Sequence, residues 1–282
     1  TREEADAAKA EEVKIRPRID NIKAPHFVFY VKQMLSEKYG ERTVEQGGLK
    51  VISTLDAAKQ EIAERAVAEH IEQNGENQKF SNGSLVAIDP KTGQVLAMVG
   101  SKDFFDDTID GQVNVSLMPR QPGSSFKPIV YTMGFMKGYT AETMLWDVLT
   151  TFKTATTPYI PHNYDLKEHG AVTVRTALQG SLNIPAVKML YLAGIDNVLN
   201  LAEKLGYTTL ADRSRFGLSL VLGGGEGKLL EHTGAYAIFA AEGKKYSVSP
   251  ILKVEDPWGK VLEEWKQPEG EQVIPAETAR LT

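Results

Sequence analysis

The sequence predicts an α+β protein with an antiparallel central sheet flanked by helices. A strand-rich hairpin pattern at 84–101 comes first, helical apolar patterns follow at about 125–137, 173–193 and 195–205, and a second hairpin pattern lies at 251–265. Hairpins join antiparallel strands, whereas a doubly wound parallel sheet needs strands that alternate with helices along the chain. The order hairpin, helices, hairpin therefore favours the α+β class.

Composition excludes several classes of function. The chain has 282 residues, 42% hydrophobic and 24% charged, with a net charge of −5 and no basic stripe, so we expect no nucleic-acid partner. It has no cysteine, which excludes disulfides and thiolate metal sites, and its five histidines lack metal-ligand spacing. We therefore predict no metal and no cofactor. No apolar run is long enough to span a bilayer.

The N-terminal third predicts two helices and a strand after a charged start. Residues 1–24 are charged and alanine-rich and are broken by Pro17, which predicts a short helix followed by a linker. Residues 27–40 carry apolar side chains at helical spacing. GGLKVISTLD then predicts a turn, a strand and a helix that Thr54 caps. The face that this helix is expected to bury carries Leu55, Ala58, Ile62, Ala66 and Ile71.

The two hairpin patterns differ in their hydrophobicity. In SLVAIDPKTGQVLAMVGS (84–101), nearly continuous apolar runs flank the turn sequence DPKTG, so we expect strands buried on both faces. In ILKVEDPWGKVLEEW (251–265), the residues alternate better around a turn at 256–259, so we expect a peripheral hairpin.

The stretch QPGSSFKPIVY (121–131) carries candidate nucleophile chemistry. A helix that starts near Ser124 places Ser124 and Lys127 on one face, with the serine at the positive helix end. A serine needs a base to remove its proton, and a neutral lysine can serve. Lowering a lysine pKa from about 10.4 to about 7 requires roughly 4–5 kcal/mol, which burial can supply. Ser-x-x-Lys alone is a weak signal, and a capped helix with a solvated lysine is the alternative.

A second candidate pair lies in ALQGSLNIPAVKML (177–190). Ser181 and Asn183 interrupt a strongly apolar stretch at a helix junction, just before Ile184-Pro185. There they could line a cleft as a proton relay and an amide-binding group. The alternative is a structural helix cap, in which one of the two side chains bonds free backbone N–H groups.

Longer segments resemble the penicillin-binding proteins, a family of penicillin-recognising serine acyltransferases. RQPGSSFKP (120–128) and HNYDLKEHGAVTVRTALQGSLNIPAVK (162–188) resemble the family's first two active-site motifs. IDPKTGQVLAMVGS, DGQVNVS and GLSLVLGGGEGKLLEHTGAYAIFAAEG resemble the transpeptidase domain of its bifunctional class A members. The likeness runs from about residue 26 to the end. It implies the fold of serine β-lactamases and DD-peptidases.

The resemblance also implies an activity and residue roles. The expected activity is D,D-transpeptidation, which cross-links peptidoglycan stem peptides through a serine acyl-enzyme that β-lactams also form. Ser124 would be the nucleophile, with its N–H in the oxyanion hole, and Lys127 the general base. Ser181 would relay a proton, and Asn183 would hold the peptide amide. The alternatives are a D,D-carboxypeptidase or β-lactamase-type hydrolase, and a non-catalytic β-lactam sensor or scaffold.

The family's third motif, Lys-Thr-Gly on a later strand, has no match after Asn183. Lys91-Thr92-Gly93 spells it, but in the turn of the first hairpin, where a structural role is expected. GGGEGK (223–228) departs from the phosphate-loop pattern, so we interpret it as a turn near the cleft. We expect the C-terminal strands to be missing, whether truncated, cleaved or left out, and the 282 residues alone to be poorly active.

The same resemblance predicts organisation and location. Residues 1–50 are interpreted as the linker from an absent glycosyltransferase domain, and residues 51–282 as a partial transpeptidase domain. The expected partners are peptidoglycan stem peptides, β-lactam antibiotics and other cell-wall synthesis proteins. The expected location is the extracytoplasmic, periplasmic face of a bacterial cytoplasmic membrane, with a tether in the absent N-terminal region.

Overall fold

The computed structural model describes Arg2 and residues 22–154 and 157–282. The helix predicted before Pro17 lies outside this part of the chain, apart from Arg2. Among the described residues, no helix combines the length and apolar character that a bilayer crossing requires.

Helices and short strands alternate irregularly along the described chain. The α-helices in it are α1 (Pro25–Tyr39), α2 (Glu41–Gln46), α3 (Ala57–Gln78), α4 (Lys127–Met136), α5 (Val174–Gln179), α6 (Asn183–Ala193), α7 (Ile195–Leu205), α8 (Leu229–Ala240) and α9 (Ala276–Leu281). The strands in it are β1 (Lys50–Ser53), β2 (Leu85–Ile88), β3 (Val95–Val99), β4 (Met144–Asp147), β5 (Gly170–Thr173), β6 (Lys244–Lys245), β7 (Ile251–Glu255), β8 (Val261–Glu264) and β9 (Glu271–Gln272).

The strands pair antiparallel, which confirms the predicted α+β class. A three-stranded sheet has the order β1-β7-β8, and the pairs β2-β3, β4-β5 and β6-β9 form separate two-stranded sheets. The start of β3 joins the chain just before β7, since Val95 N donates to Ser249 O (3.0 Å) and Ser249 N donates to Gly93 O (2.9 Å). The first hairpin thereby lies beside the three-stranded sheet.

Both predicted hairpins form. In the first, Asp89 O accepts from Gly93 N (2.9 Å), and Gly93 adopts φ +76°, a conformation that suits glycine. Most of β3 is buried, whereas β2 is only half-buried, so burial on both faces holds for one strand. In the second, β7 is central in its sheet and β8 is mostly exposed at the edge.

The predicted start of α3 is wrong, and of the five side chains expected on its buried face only Ile71 is buried. Asp56, not Thr54, caps the helix, because its carboxylate accepts from the first backbone amides at 3.1 Å. Thr54 is buried and donates to Val95 O (2.6 Å). The buried face contains Gln60, whose amide bonds both backbone groups of Met98. Packing against β3 thus selected the face, and Ile62 points to solvent.

The largest core surrounds α4 and α6. Both helices are apolar on nearly all sides, as expected for helices inside a protein. Gly134 lets them approach closely, because a Cβ there would lie 2.4 Å from Met189 Sδ. A second cluster packs Phe27 and Val31 of α1 against β3 and β7. The core therefore fixes the relative position of the two helices that begin with Lys127 and Asn183.

Candidate active site

The first candidate segment forms a tight turn ahead of α4. Gly123–Phe126 is a 3₁₀ helix that leads directly into α4, with Gly123 at φ +60°. Ser124 is exposed, and its hydroxyl makes no hydrogen bond within the described chain. The turn therefore offers a free hydroxyl to the solvent.

Neighbouring segments hold this turn from two sides. Arg120 and Gly227 exchange backbone hydrogen bonds of 2.8 and 2.9 Å. Gly223, at φ +83°, lies so close to Gly123 that a Cβ would meet the Gly123 backbone nitrogen at 2.2 Å. The Tyr236 hydroxyl donates to Ser125 O (2.7 Å). The glycine run 223–228, interpreted from the sequence as a turn near the cleft, therefore supports the serine turn.

Lys127 carries its amine into the protein interior. The residue is 1% exposed. Its Nζ donates to Ser181 O (2.5 Å), Ser181 Oγ (3.1 Å) and Asn183 Oδ1 (2.7 Å). Burial lowers the pKa of this amine from 10.5 to about 8. A solvated lysine on a capped helix is thus excluded, and a useful fraction of neutral amine is available near neutral pH.

The structure brings Lys127, Ser181 and Asn183 together, and places Ser124 one turn away on the same segment. No hydrogen bond joins the Lys127 amine to the Ser124 hydroxyl within the described chain. Three acceptors already saturate the three donors of an ammonium group. The amine must lose a proton and shift toward Ser124 before it can act as a base, as is common for sites without substrate.

Ser181 lies at the helix junction that the sequence indicates, in a left-handed conformation that the sequence did not predict. The helical pattern over 173–193 divides there into α5 and α6, with Ser181 between them at φ +50°. This left-handed conformation costs about 1–2 kcal/mol for a residue other than glycine. Pro185 follows in the first turn of α6, where a missing N–H costs least. The break turns the exposed Ser181 hydroxyl toward Lys127.

Asn183 begins α6 and is engaged through both ends of its amide. Oδ1 accepts from Lys127, and Nδ2 donates to His162 O (2.9 Å). Its position is set by Asn163, whose Oδ1 accepts from Asn183 N (2.8 Å) and Ile184 N (3.3 Å). The cap of α6 thus comes from a residue 20 positions earlier, because Leu182 offers no side-chain acceptor.

The residues behind this cap were not predicted from the sequence. Asn163 and Asp147 are both buried, and His169 lies beside them. Asn163 falls inside the 162–188 segment that carries the family resemblance, but a polar loop has no period that marks one residue as buried. Asp147 ends β4, where only the tertiary fold shows its environment.

The Lys-Thr-Gly sequence before Ser124 takes a structural place. Lys91-Thr92-Gly93 forms the tip of the β2–β3 hairpin, where a Cβ on Gly93 would clash with Ser247 O at 2.3 Å. Among the described residues, no group of His, Cys, Asp and Glu has an arrangement that could hold a metal ion.

Comparison with known proteins identifies the family. A family model described as the penicillin binding protein transpeptidase domain matches residues 83–282. The chain belongs to this family. The resemblance to the transpeptidase domain of class A penicillin-binding proteins is thereby confirmed.

Relatives known by sequence support the assignment. Penicillin-binding protein 1A of Aquifex aeolicus is 37% identical over 208 residues, which cover 71% of this chain and 27% of the relative. Penicillin-binding protein 2D of Bacillus subtilis is 31% identical over 255 residues, which cover 89% of this chain and 36% of the relative. The chain therefore spans only a minor part of the length of these relatives.

Solved structures show the same fold. Penicillin-binding protein 1A of Haemophilus influenzae superposes with a TM-score of 0.81 at 19% identity, over 100% of this chain and 60% of that one. PonA1 of Mycobacterium tuberculosis superposes with a TM-score of 0.75 at 24% identity, over 90% of this chain and 67% of the PonA1 chain. The penicillin-binding transpeptidase fold is thus established for this chain.

Proposed function

We propose that this protein is a peptidoglycan D,D-transpeptidase that works through an acyl-enzyme on Ser124. One observation carries the proposal. A buried amine with a lowered pKa, that of Lys127, bonds the hydroxyl of Ser181 and the amide of Asn183, one turn from the free Ser124 hydroxyl. Family membership supports the same activity.

In the proposed acylation, Ser124 Oγ attacks the carbonyl carbon between the two terminal D-Ala residues of a stem peptide. The hydroxyl proton passes to the neutral amine of Lys127, and the Ser124 N–H supports the oxyanion. The C–N bond then breaks. The leaving nitrogen takes a proton from Ser181, which recovers one from Lys127 across their 3.1 Å contact. The products are an ester on Ser124 and free D-Ala.

Transfer reverses these proton movements. An amine of a second stem peptide attacks the ester carbonyl and gives a proton through Ser181 to Lys127. The C–O bond breaks, Ser124 regains its proton from Lys127, and a new amide joins the two peptides. A β-lactam acylates Ser124 by the same first step, and opening of its ring leaves no departing fragment. Asn183 would bind the donor amide with its second N–H and the second lone pair of Oδ1, because its contacts to His162 and Lys127 use only one of each.

Mass spectrometry of the full-length protein after penicillin treatment tests the nucleophile, because the 282 residues alone are expected to be poorly active. The wild-type protein should gain one penicillin, whereas Ser124→Ala should gain none. Ser125→Ala is the matched control, because Ser125 is also exposed and its hydroxyl only donates to Pro122 O (2.6 Å). An adduct that persists in Ser124→Ala or disappears in Ser125→Ala would overturn the assignment.

Product analysis separates transfer from hydrolysis. With a stem-peptide donor and an added amine acceptor, a transpeptidase forms the cross-linked amide. A carboxypeptidase or β-lactamase-type enzyme releases only the hydrolysed acid, and a sensor turns over neither. Absence of the cross-linked product in the intact protein would contradict the proposal.

We further propose that the domain acts on the outer face of a bacterial cytoplasmic membrane, tethered by a region beyond this sequence. The proposed substrate supports this, since peptidoglycan lies outside that membrane. The linker role of residues 1–50 and an association with other cell-wall synthesis proteins belong to the same proposal. Protease accessibility in intact spheroplasts tests the location, because a domain on the outer face is cleaved without lysis.

A further inference from the structure

A buried carboxylate lies behind the second candidate motif. Asp147, at the end of β4, is 0% exposed. Its oxygens accept from Asn163 Nδ2 (2.9 and 2.8 Å), from His169 N (3.1 Å) and from His169 Nδ1 (2.5 Å). A charge without solvent needs such partners, because its desolvation costs several kcal/mol.

Asn163 connects this carboxylate to the active site. It is 3% exposed, and its Nδ2 donates to Asp147 and to Lys167 O (2.8 Å). Both amide hydrogens are therefore used on one side. On the other side, Oδ1 accepts from the first backbone amides of α6, those of Asn183 and Ile184. The orientation of the Asn163 amide is thus fixed by hydrogen bonding on both sides.

His169 closes the network at the surface. Its Nε2 lies 3.1 Å from Asp165 Oδ2, and its side chain is 36% exposed. The hydrogen bond to Asp147, and then the charge of Asp165, raise its pKa, which favours an imidazolium that bridges two carboxylates. Other charged or titratable groups also face the network: Lys188 of α6 and Tyr131 of α4 interact electrostatically with Asp147, and Lys167 interacts with Asp165.

We propose that Asn163, locked in place by Asp147 and His169, is a positioning residue for Lys127. It fixes the first turn of α6 and so the Asn183 oxygen to which the Lys127 amine donates. This inference rests on the proposed function, because the amine it places is the proposed general base.

Capping alone does not account for the network. A single serine or aspartate at Leu182 would cap α6 without any buried charge. A buried ionic group is also a poor means of raising stability. The arrangement instead connects the Asp147 carboxylate to Asn183, the acceptor of the Lys127 amine, through the two ends of the Asn163 amide. An error of about 1 Å in such a support lowers rates about 100-fold.

The test compares three variants of the intact protein. Asn163→Ala removes the link. Asn197→Ala is the matched control, because Asn197 Nδ2 bonds Ala193 O (2.8 Å) at the opposite end of the same helix. The third is the exchange Asp147→Asn with Asn163→Asp, which keeps a carboxylate–amide pair and an acceptor for the α6 amides.

Two measurements are made on each variant. One is the rate of Ser124 acylation by a fluorescent penicillin, and the other is the pKa of the Lys127 amine from its ¹³Cε chemical shift. Asn163→Ala should slow acylation about 10- to 100-fold. It should also raise the Lys127 pKa above its value of about 8, because a loosened site admits water. Asn197→Ala should leave both unchanged, and the exchange should be acylated faster than Asn163→Ala.

The outcomes separate this inference from the function on which it rests. If the wild-type protein is not acylated, the proposed function fails, and the Lys127 pKa still decides the positioning role. If Asn163→Ala keeps the wild-type rate and pKa, the positioning role is overturned. If Asn163→Ala does not fold, the exchange decides through its maximal acylation rate at high pH, because the carboxylate that it brings to position 163 raises the Lys127 pKa by itself. With wild-type folding, a maximal rate near that of the wild type supports the role, and a loss of about 100-fold overturns it.

Discussion

At the scale of single residues, Lys127 has an environment unlike that of most lysines. A lysine is rarely buried without a carboxylate partner. Here the acceptors are two side-chain oxygens and one backbone carbonyl, all uncharged. Neutral acceptors do not compensate burial fully, so the pKa falls to about 8.

A pH profile follows from this pKa. Only the neutral amine can take the Ser124 proton, so the acylation rate should rise about tenfold per pH unit below pH 8 and level off above it. Stopped-flow acylation by a fluorescent penicillin between pH 5.5 and 9.5, a range of roughly four units, measures the profile. Lys127→Arg keeps the charge but cannot deprotonate, so it should be inactive throughout. A flat profile in the wild-type protein would exclude Lys127 as the base.

Residue types and their spacing singled out Ser124, Lys127, Ser181 and Asn183 as candidates, and the family resemblance gave them roles. Their environment was only partly foreseeable. The burial of Lys127 was expected, because a lysine that acts as a base must be neutral. The burial of Asn163 was not expected, because a polar loop residue becomes important only when the fold buries it.

At the scale of elements, the turn before α4 depends on a distant glycine. Gly223 is at φ +83°, and its Cα lies against the backbone of Gly123. A Cβ at this position would meet three backbone atoms of Gly123 between 2.2 and 2.7 Å. Backbone atoms cannot turn aside as a side chain does, so any side chain at 223 must displace the turn that carries Ser124.

Gly223→Ala tests this dependence. We expect acylation to fall about 10- to 100-fold because Ser124 moves, and stability to fall by roughly 1–3 kcal/mol from strain and overlap. Gly217→Ala is the control on the same segment, since its φ is −123° and a Cβ there meets nothing within 4 Å. Fluorescent-penicillin kinetics and urea unfolding give both quantities. Equal acylation rates and stabilities of the two variants would show that the contact between Gly223 and Gly123 does not position the serine turn.

Local pattern predicted most elements but not the backbone conformation at their ends. The bounds of α1 and α7 lie close to those expected, because helical spacing and flanking glycines are local signals. The junction between α5 and α6 was expected near Ser181, but its left-handed conformation was not, because apolar residues continue across it. Most of the predicted buried face of α3 was wrong because a glutamine that pairs with the β3 backbone outweighed apolar spacing.

At the scale of the whole molecule, distant segments assemble the site and the sheet. β1 pairs with β7 across about 200 residues of sequence, and the serine turn is held by residues about 100 positions later. Such pairings leave no periodic mark in a sequence, so the order of hairpins and helices predicted the α+β class, and the family resemblance predicted the particular fold. The structure confirms that architecture and adds which contacts fix it.

Two titrating groups give the folded protein opposite responses to pH. The pKa of His169 is raised above 6.5 by its bond to Asp147, so its contribution to the free energy of unfolding is complete below pH 6.5 and lost as pH rises through the raised value. The pKa of Lys127 is lowered from 10.5 to about 8 by burial. Between these values the unfolded chain holds the proton and the folded chain does not, so stability rises with pH.

Substitutions that remove one group at a time isolate these responses. The free energy of unfolding of the wild-type protein, minus that of Lys127→Met, should grow as pH rises from about 8 to 10.5. The same difference taken with His169→Gln should shrink as pH rises above 6.5. Urea unfolding at intervals across this range measures both differences. If the first difference is constant, Lys127 has an ordinary pKa in the folded protein, and the neutral amine on which the mechanism depends is absent at neutral pH.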